Sequence, residues 1–257
     1  MNLPLDTHNH LKGWSDGRQT IEELLDHAKT MGVRVGLSDH AGIADRLNTS
    51  DLLLQYSEFL SRHPVARGFE MDMDRAFQVD PQVRKKFDYA IGSVHGLSLN
   101  GRRVSFSRTF NALQGKDPEY DSKAEIPEPQ TFFKAHLRLL DQEFERQRYD
   151  ILGHCTMLPP LLWGPIEEVF PAWWEDDLVD IVKSAQVAVE ISNRWKTPYE
   201  RLLKKFLAAG VRFSMGSDGH DTKRSCYLDY PLEMIAKYSI PADRLFDVAR
   251  SLETSWL

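Results

Sequence analysis

Histidines and acids recur at short, fixed spacings along this 257-residue chain. Asp6-Thr-His8-Asn-His10 comes first, followed by Ser38-Asp39-His40, Gly68-Phe-Glu70, Gly92-Ser-Val-His95, Gly153-His154 and Gly216-Ser-Asp218-Gly-His220. In an extended segment residues i and i+2 point to the same side, so His8 and His10 can share one ion, and Asp218 and His220 repeat the arrangement with a carboxylate. Imidazole and carboxylate together suit Zn, Mn or Fe better than the all-oxygen cage that Ca takes. The lack of thiolate ligands disfavours a structural zinc site built on cysteine. The chemistry predicted is catalysis at bound divalent metal. Taken singly, each motif has a plainer reading, since Glu70 alone would be a salt-bridged carboxylate and Gly153-His154 a turn. Their recurrence behind successive strands favours one joint site.

Those strands belong to a β-then-α rhythm. Brief runs rich in Val, Ile, Leu and Phe predict strands over residues 3–8, 33–39, 66–70, 89–94, 150–153, 187–192 and 212–216, as expected of parallel strands buried on both faces. Thr20 and Glu23 form a capping box that starts a helix closed by Gly32, and Thr197, Pro198 and Glu200 suggest the same device before a helix closed by Gly210. Further helices are predicted over 51–62, 130–148, 173–184 and 242–252. Strand, helix, strand with right-handed crossovers gives an open sheet or a closed barrel. In a barrel all strand C-termini face one rim, so motifs far apart in sequence would converge there. Residues 96–129 interrupt the rhythm and read as a long irregular insertion, either a lid over the mouth or a solvated excursion. His27, His63 and His136 follow no strand and are assigned to packing or surface. Trp173-Trp174 and the run from Leu161 to Trp163 are read as hydrophobic packing.

Composition narrows the function classes. Thirty-two Lys and Arg against thirty-eight Asp and Glu give a formal charge of −6, the wrong sign for a protein tracking a nucleic-acid backbone. Two cysteines, Cys155 and Cys226, cannot staple a secreted scaffold. No apolar run suits export or membrane insertion, so a cytoplasmic protein without membrane partners is expected.

The ordered set Asp-x-His-x-His, Ser-Asp-His, Gly-x-Glu, Ser-Val-His, Gly-His and Ser-Asp-x-His, spanning residues 6–220, resembles the PHP (polymerase and histidinol phosphatase) family. Through Phe87-Asp-Tyr-Ala-Ile-Gly-Ser-Val-His95 it is most similar to stand-alone histidinol-phosphatase-like members. The resemblance implies a single domain over 1–257, a distorted seven-stranded (β/α)7 TIM-like barrel, and a cluster of two to three divalent ions (Zn, Mn or Fe). It places His8, His10 and Asp218 on the first ion, Glu70 as a bridge to a second completed by His95 and His154, and His40, His220 and Asp16 on a third. Asp16 stands where several relatives have His. The implied activity is hydrolysis of a small phosphomonoester, with L-histidinol phosphate the leading candidate, by a metal-bridging hydroxide attacking phosphorus. Glu70, Asp218, His220 and Asp39 are the expected catalytic groups, with Asp6 and Asp39 supporting neighbouring ligands by accepting an imidazole N–H or holding a loop. Arg194, Lys196, Arg108 and Arg224 are candidates for binding the anionic substrate, the alternative for each being a solvated charge. After His154 the chain reads Cys-Thr-Met-Leu-Pro-Pro, unlike the Leu-Asp-rich continuation common in that group. A phosphodiesterase or exonuclease, an amidohydrolase-like C–N hydrolase and a noncatalytic metal-binding scaffold are the competing readings. The second usually wants a bridging Lys after a middle strand, and none stands there.

Overall fold

In the computed structural model residues 3–43, 46–117, 119–120, 129–159 and 164–248 are described. Every apolar run predicted as a strand carries one. β1 is Leu5–Asp6, β2 Arg34–Leu37, β3 His40–Ala41, β4 Ala66–Arg67, β5 Glu70–Asp72, β6 Ile91–Ser93, β9 Ile151–Leu152, β10 Ala188–Ser192 and β11 Phe213–Gly216. The remaining two, β7 Gly96–Leu99 and β8 Arg102–Ser105, form a separate antiparallel hairpin.

The large sheet is parallel throughout and ordered β3-β5-β6-β9-β10-β11-β1-β2-β4. It therefore has nine strands rather than the expected seven. The difference arises at residues 38–39, beyond which a second short strand follows the expected run 33–39, and at 68–69, where the expected run 66–70 is interrupted. At the first break the Asp39 N–H leaves the ladder to donate to Tyr56 Oη at 3.2 Å. At the second, Gly68 lies so close to the Tyr89 ring that a Cβ there would overlap it. β3 follows β2, which pairs with β4, while β5 follows β4 and pairs with β3. The two ends of the sheet are thus tied to each other through the chain, and the sheet curls into an α/β, TIM-like form.

Helices cover its outside. Thr20 caps Ile21–Met31 with the predicted box, and Gly32 ends it in the left-handed conformation at φ 65°. Pro129–Arg146 buries Phe132, Phe133, His136, Leu137 and Leu140, a stripe at helical spacing, and packs on Ala172–Ala185, which packs on Glu200–Ala209. Trp174 is fully buried against Phe133 and Phe170, as its packing assignment requires, whereas residues 160–163, including Trp163, lie outside the described residues. Inside the curl, a small apolar cluster of Leu5, Ala66, Tyr89, Ile91, Ile151 and Ala188, drawn mainly from strand starts, forms a floor. The candidate ligands gather at the opposite side, just beyond β1, β2, β4, β6, β9 and β11.

Three local expectations are corrected. Thr197 makes no capping box, because its carbonyl accepts from Ser192 N–H at 2.8 Å and the helix starts later, at Glu200, with Tyr199 before it. The segment predicted as a helix over 242–252 holds one short turn at Ala242–Arg244. Phe246 N–H then donates to Phe213 O at 2.6 Å and its ring joins the floor, while residues 249–252 are not described. The insertion at 96–129 is built rather than irregular where it is described: the hairpin turns at Asn100 and Gly101, both with positive φ, and leads into the helix Phe106–Leu113. No helix among the described residues is long and apolar enough to cross a membrane.

Candidate metal centre

Glu70, at the start of β5, is fully buried and stands at the middle of the imidazole cluster. Its Oε1 lies 3.3 Å from His8 Nε2, 3.2 Å from His154 Nε2 and 3.6 Å from His95 Nε2. Its Oε2 lies 2.9 Å from His40 Nδ1 and 3.7 Å from His10 Nε2. His10 Nε2 is also 3.6 Å from Asp218 Oδ1, and Asp16 Oδ1 is 3.2 Å from His220 Nε2 and 3.6 Å from His40 Nε2. Four overlapping groups result: His8, His10 and Asp218; His8, Glu70 and His154; His40, Glu70 and His95; and His10, Asp16, His40 and His220. All nine ligands named from the sequence are thus brought together, while His27, His63 and His136 enter none of the groups. The division differs in two places from the one implied by the resemblance: His154 joins His8 and His95 joins His40, on opposite flanks of Glu70, and His10 also joins Asp16, His40 and His220.

The donor set fits divalent cations. Ligand atoms about 2.1 Å from a shared ion in tetrahedral directions stand about 3.4 Å apart, and most spacings here run from 3.2 to 3.7 Å, long for charged hydrogen bonds. His8 Nε2, His10 Nε2, His40 Nδ1 and Glu70 Oε2 are buried with no hydrogen-bond partner, which a cation would supply. Electrostatics point the same way. Burial opposes ionisation of Glu70, but the coulombic pull of His8, His40 and His95 outweighs it and holds the carboxyl well below its ordinary range. Burial likewise opposes charging His8 and His40, yet Glu190 and Glu70 raise the first, and Glu70 and Asp72 the second, well above the usual imidazole value. Burial and repulsion from His220 bring His10 down to about 3, leaving a neutral ring with a free lone pair. A cluster that draws in positive charge around neutral and anionic donors suits a bound cation.

Two supporting acids escaped the sequence reading. Glu190, buried within β10, accepts from His8 Nδ1 at 2.7 Å through Oε1 and from the His154 backbone N–H at 2.6 Å through Oε2. It thereby aims His8 Nε2 at Glu70. Gly216 leaves room for it, since a Cβ there would overlap Oε1. Asp72, two residues beyond Glu70 on the same strand, stands 2.9 Å from His95 Nδ1 and turns the other ring nitrogen toward the centre. Its spacing repeats the i, i+2 rule that singled out His8 and His10. Asp218 (φ 50°) and His154 (φ 22°) both take left-handed backbone conformations, which non-glycine residues adopt at functional sites.

Some assignments change. Asp39 does not touch the cluster: its carboxylate accepts from Leu11 N–H at 2.8 Å, Ser15 Oγ at 2.6 Å and Tyr56 Oη at 2.7 Å, and it reaches His10 only through Ser15. Asp6 is similarly spent on Ser217, His8 N–H and Cys226 N–H, tying β1 to the loop after β11. A cleft of about 1000 Å³ opens over the cluster. Arg194 and Arg224 line it, with Arg194 Nη1 donating to Asp218 Oδ1 at 3.2 Å. Lys196 does not, because the chain turns at φ 52° and sends its ammonium to Asn193 Oδ1, 5.3 Å from the Tyr230 ring centroid. Arg108 also lies off the lining, paired with Asp117 at 2.8 Å within the insertion. Trp195, unremarked in the sequence, donates from Nε1 to Asp218 Oδ2 at 2.5 Å. The described part of the insertion lines one side of the cleft through Arg103, Phe110 and Lys116.

No protein-family model matches the chain, and no curated protein matches it. Solved structures do. One, assigned as a histidinol phosphatase from Listeria monocytogenes, superposes with a TM-score of 0.69 at 16% identity, over 86% of this chain and 96% of that one. Another, a histidinol phosphate phosphatase from Lactococcus lactis complexed with zinc, L-histidinol and phosphate, gives 0.60 at 17% identity, over 91% and 93%. The fold is common to all three chains.

Proposed function

We propose that this chain is a metal-dependent phosphomonoesterase acting on a small phosphorylated metabolite, with two to three divalent ions (Zn, Mn or Fe) held among the nine ligands described above. The observation that carries the reading is the convergence of six imidazoles and three carboxylates around Glu70, with four buried donor or acceptor atoms left unpartnered. Bound there, such ions neutralise phosphate oxygens and lower the pKa of a water toward about 7. The chain's own residues do the rest. Glu190 and Asp72 fix the His8 and His95 rings, Glu70 links the two sides of the cluster, and Arg194 stands beside Asp218 where it can meet a phosphate oxygen. A thiol nucleophile is disfavoured, because burial pushes both Cys155 and Cys226 up, out of the thiolate range at neutral pH.

L-histidinol phosphate is the first substrate to try, since the family resemblance points to it and the Lactococcus structure holds L-histidinol and phosphate. Phosphate release is measured from it, from other monoesters and from a bis-ester, with Zn, Mn or Fe added. Metal-dependent release from monoesters is expected, falling at least about a hundredfold in Glu70→Gln. Release that survives Glu70→Gln intact would contradict the reading, and turnover confined to the bis-ester would replace it with a phosphodiesterase.

A further inference from the structure

Seven arginines and lysines line the cleft of a chain whose formal charge is −6. Three are engaged by acids: Arg46 with Asp16 at 3.2 Å, Arg103 with Asp74 at 2.5 Å and Arg194 with Asp218 at 3.2 Å. The other four are held less closely or not at all. Arg75 stands 4.0 Å from Asp74, which Arg103 already holds, and its buried Nε has no hydrogen-bond partner. Lys116 donates to the Gln114 amide at 2.8 Å. Among the described residues no carboxylate approaches Lys116, Lys223 or Arg224 within ion-pair distance. Phe110 packs on Trp195 with ring centroids 5.8 Å apart, which holds the insertion, and Lys116 with it, against the loop after β10.

The metal cluster and Arg194 already answer the charge of one phosphate. Four more cations line the same cleft, against the protein's net charge, and of its lining carboxylates only Asp229 is neither a proposed ligand nor a ligand's support, so positive potential prevails beside the cluster. We infer that the substrate's leaving alcohol carries a second anionic group, a carboxylate or another phosphate, which seats among Arg75, Lys116, Lys223 and Arg224. The inference rests on the phosphomonoesterase reading and names its substrate class. The same rim disfavours a leaving group bearing an ammonium, so on this inference L-histidinol phosphate, the first substrate tried above, ranks below a monoester with a second anionic group.

The metal-loaded enzyme is assayed for kcat/KM with glycerol 3-phosphate (neutral leaving alcohol), 3-phosphoglycerate (carboxylate), fructose 1,6-bisphosphate (second phosphate) and L-histidinol phosphate (ammonium). The assay is repeated with Lys116→Gln/Lys223→Gln, whose two side chains are exposed, and thermal melts confirm that the variant folds. One of the two doubly anionic substrates should exceed the other classes at least about tenfold, and the variant should lose at least about tenfold on it against about threefold or less on glycerol 3-phosphate. Which one leads tells carboxylate from phosphate. Doubly anionic substrates no better than glycerol 3-phosphate, or equal losses on both, overturn the inference and leave the phosphatase reading standing. No phosphate released from any of the four removes that reading, and the inference with it.

Discussion

Glu190 is the residue on which the His8 ring depends, and it sits where a strand is otherwise apolar, between Val189 and Ile191. The proposed ligands themselves were legible because imidazoles and acids behind successive strands leave a periodic mark. Glu190 leaves none, being inside its strand rather than after it; its one signal is a lone charge in a buried run. Asp72 was within reach, two residues from Glu70, while Asp39, expected among the catalytic groups or as a loop support, holds the loop after β1, because adjacency to His40 does not fix which way a carboxylate points. Replacing Glu190 by Gln keeps the shape but weakens its hold on His8, and should lower metal affinity about 10- to 100-fold, read by competition with a chelator. Unchanged affinity would mean that His8 needs no such support.

At the scale of elements, the parallel strands were readable from their apolar runs, yet not the two breaks, which follow from contacts with Tyr56 and Tyr89 that no local pattern encodes. The hairpin in the insertion did carry a signal, Asn100-Gly101, the preferred pair for a two-residue turn with both φ positive. The Tyr89 ring fills the space over Gly68 and its hydroxyl donates to Thr7 O at 2.6 Å. Gly68→Ala should therefore destabilise the fold by about 1–3 kcal/mol, measured by urea unfolding, with a neutral effect speaking against this packing. The helix Pro129–Arg146 contributes a pH dependence. Burial lowers His136 to about 3 from 6.5, so between these values the unfolded chain binds a proton that the folded chain refuses. Stability then falls as pH drops below about 6.5, at up to about 1.4 kcal/mol per unit from this group. His136→Leu should flatten that slope relative to the parent; identical slopes would show that the ring is protonated in the fold.

For the whole molecule, closure through the chain is what matters, since it sets His40, from one end of the sheet, against His10, ring centroids 4.6 Å apart, while the pairing of β1 with β11 carries Asp6 to Ser217. Convergence of this kind could be argued from the sequence only by assuming a barrel, and the fold shared with the two solved structures supports that assumption. What the sequence withheld was the charge of the cleft wall, because the insertion and the loops after β5 and β11 meet there only in three dimensions. The most direct test is elemental analysis of the purified protein after equilibration with Zn, Mn or Fe and removal of free ion. Two to three ions per chain are predicted, falling by at least one in Glu70→Gln. A protein that stays metal-free under those conditions would contradict the account.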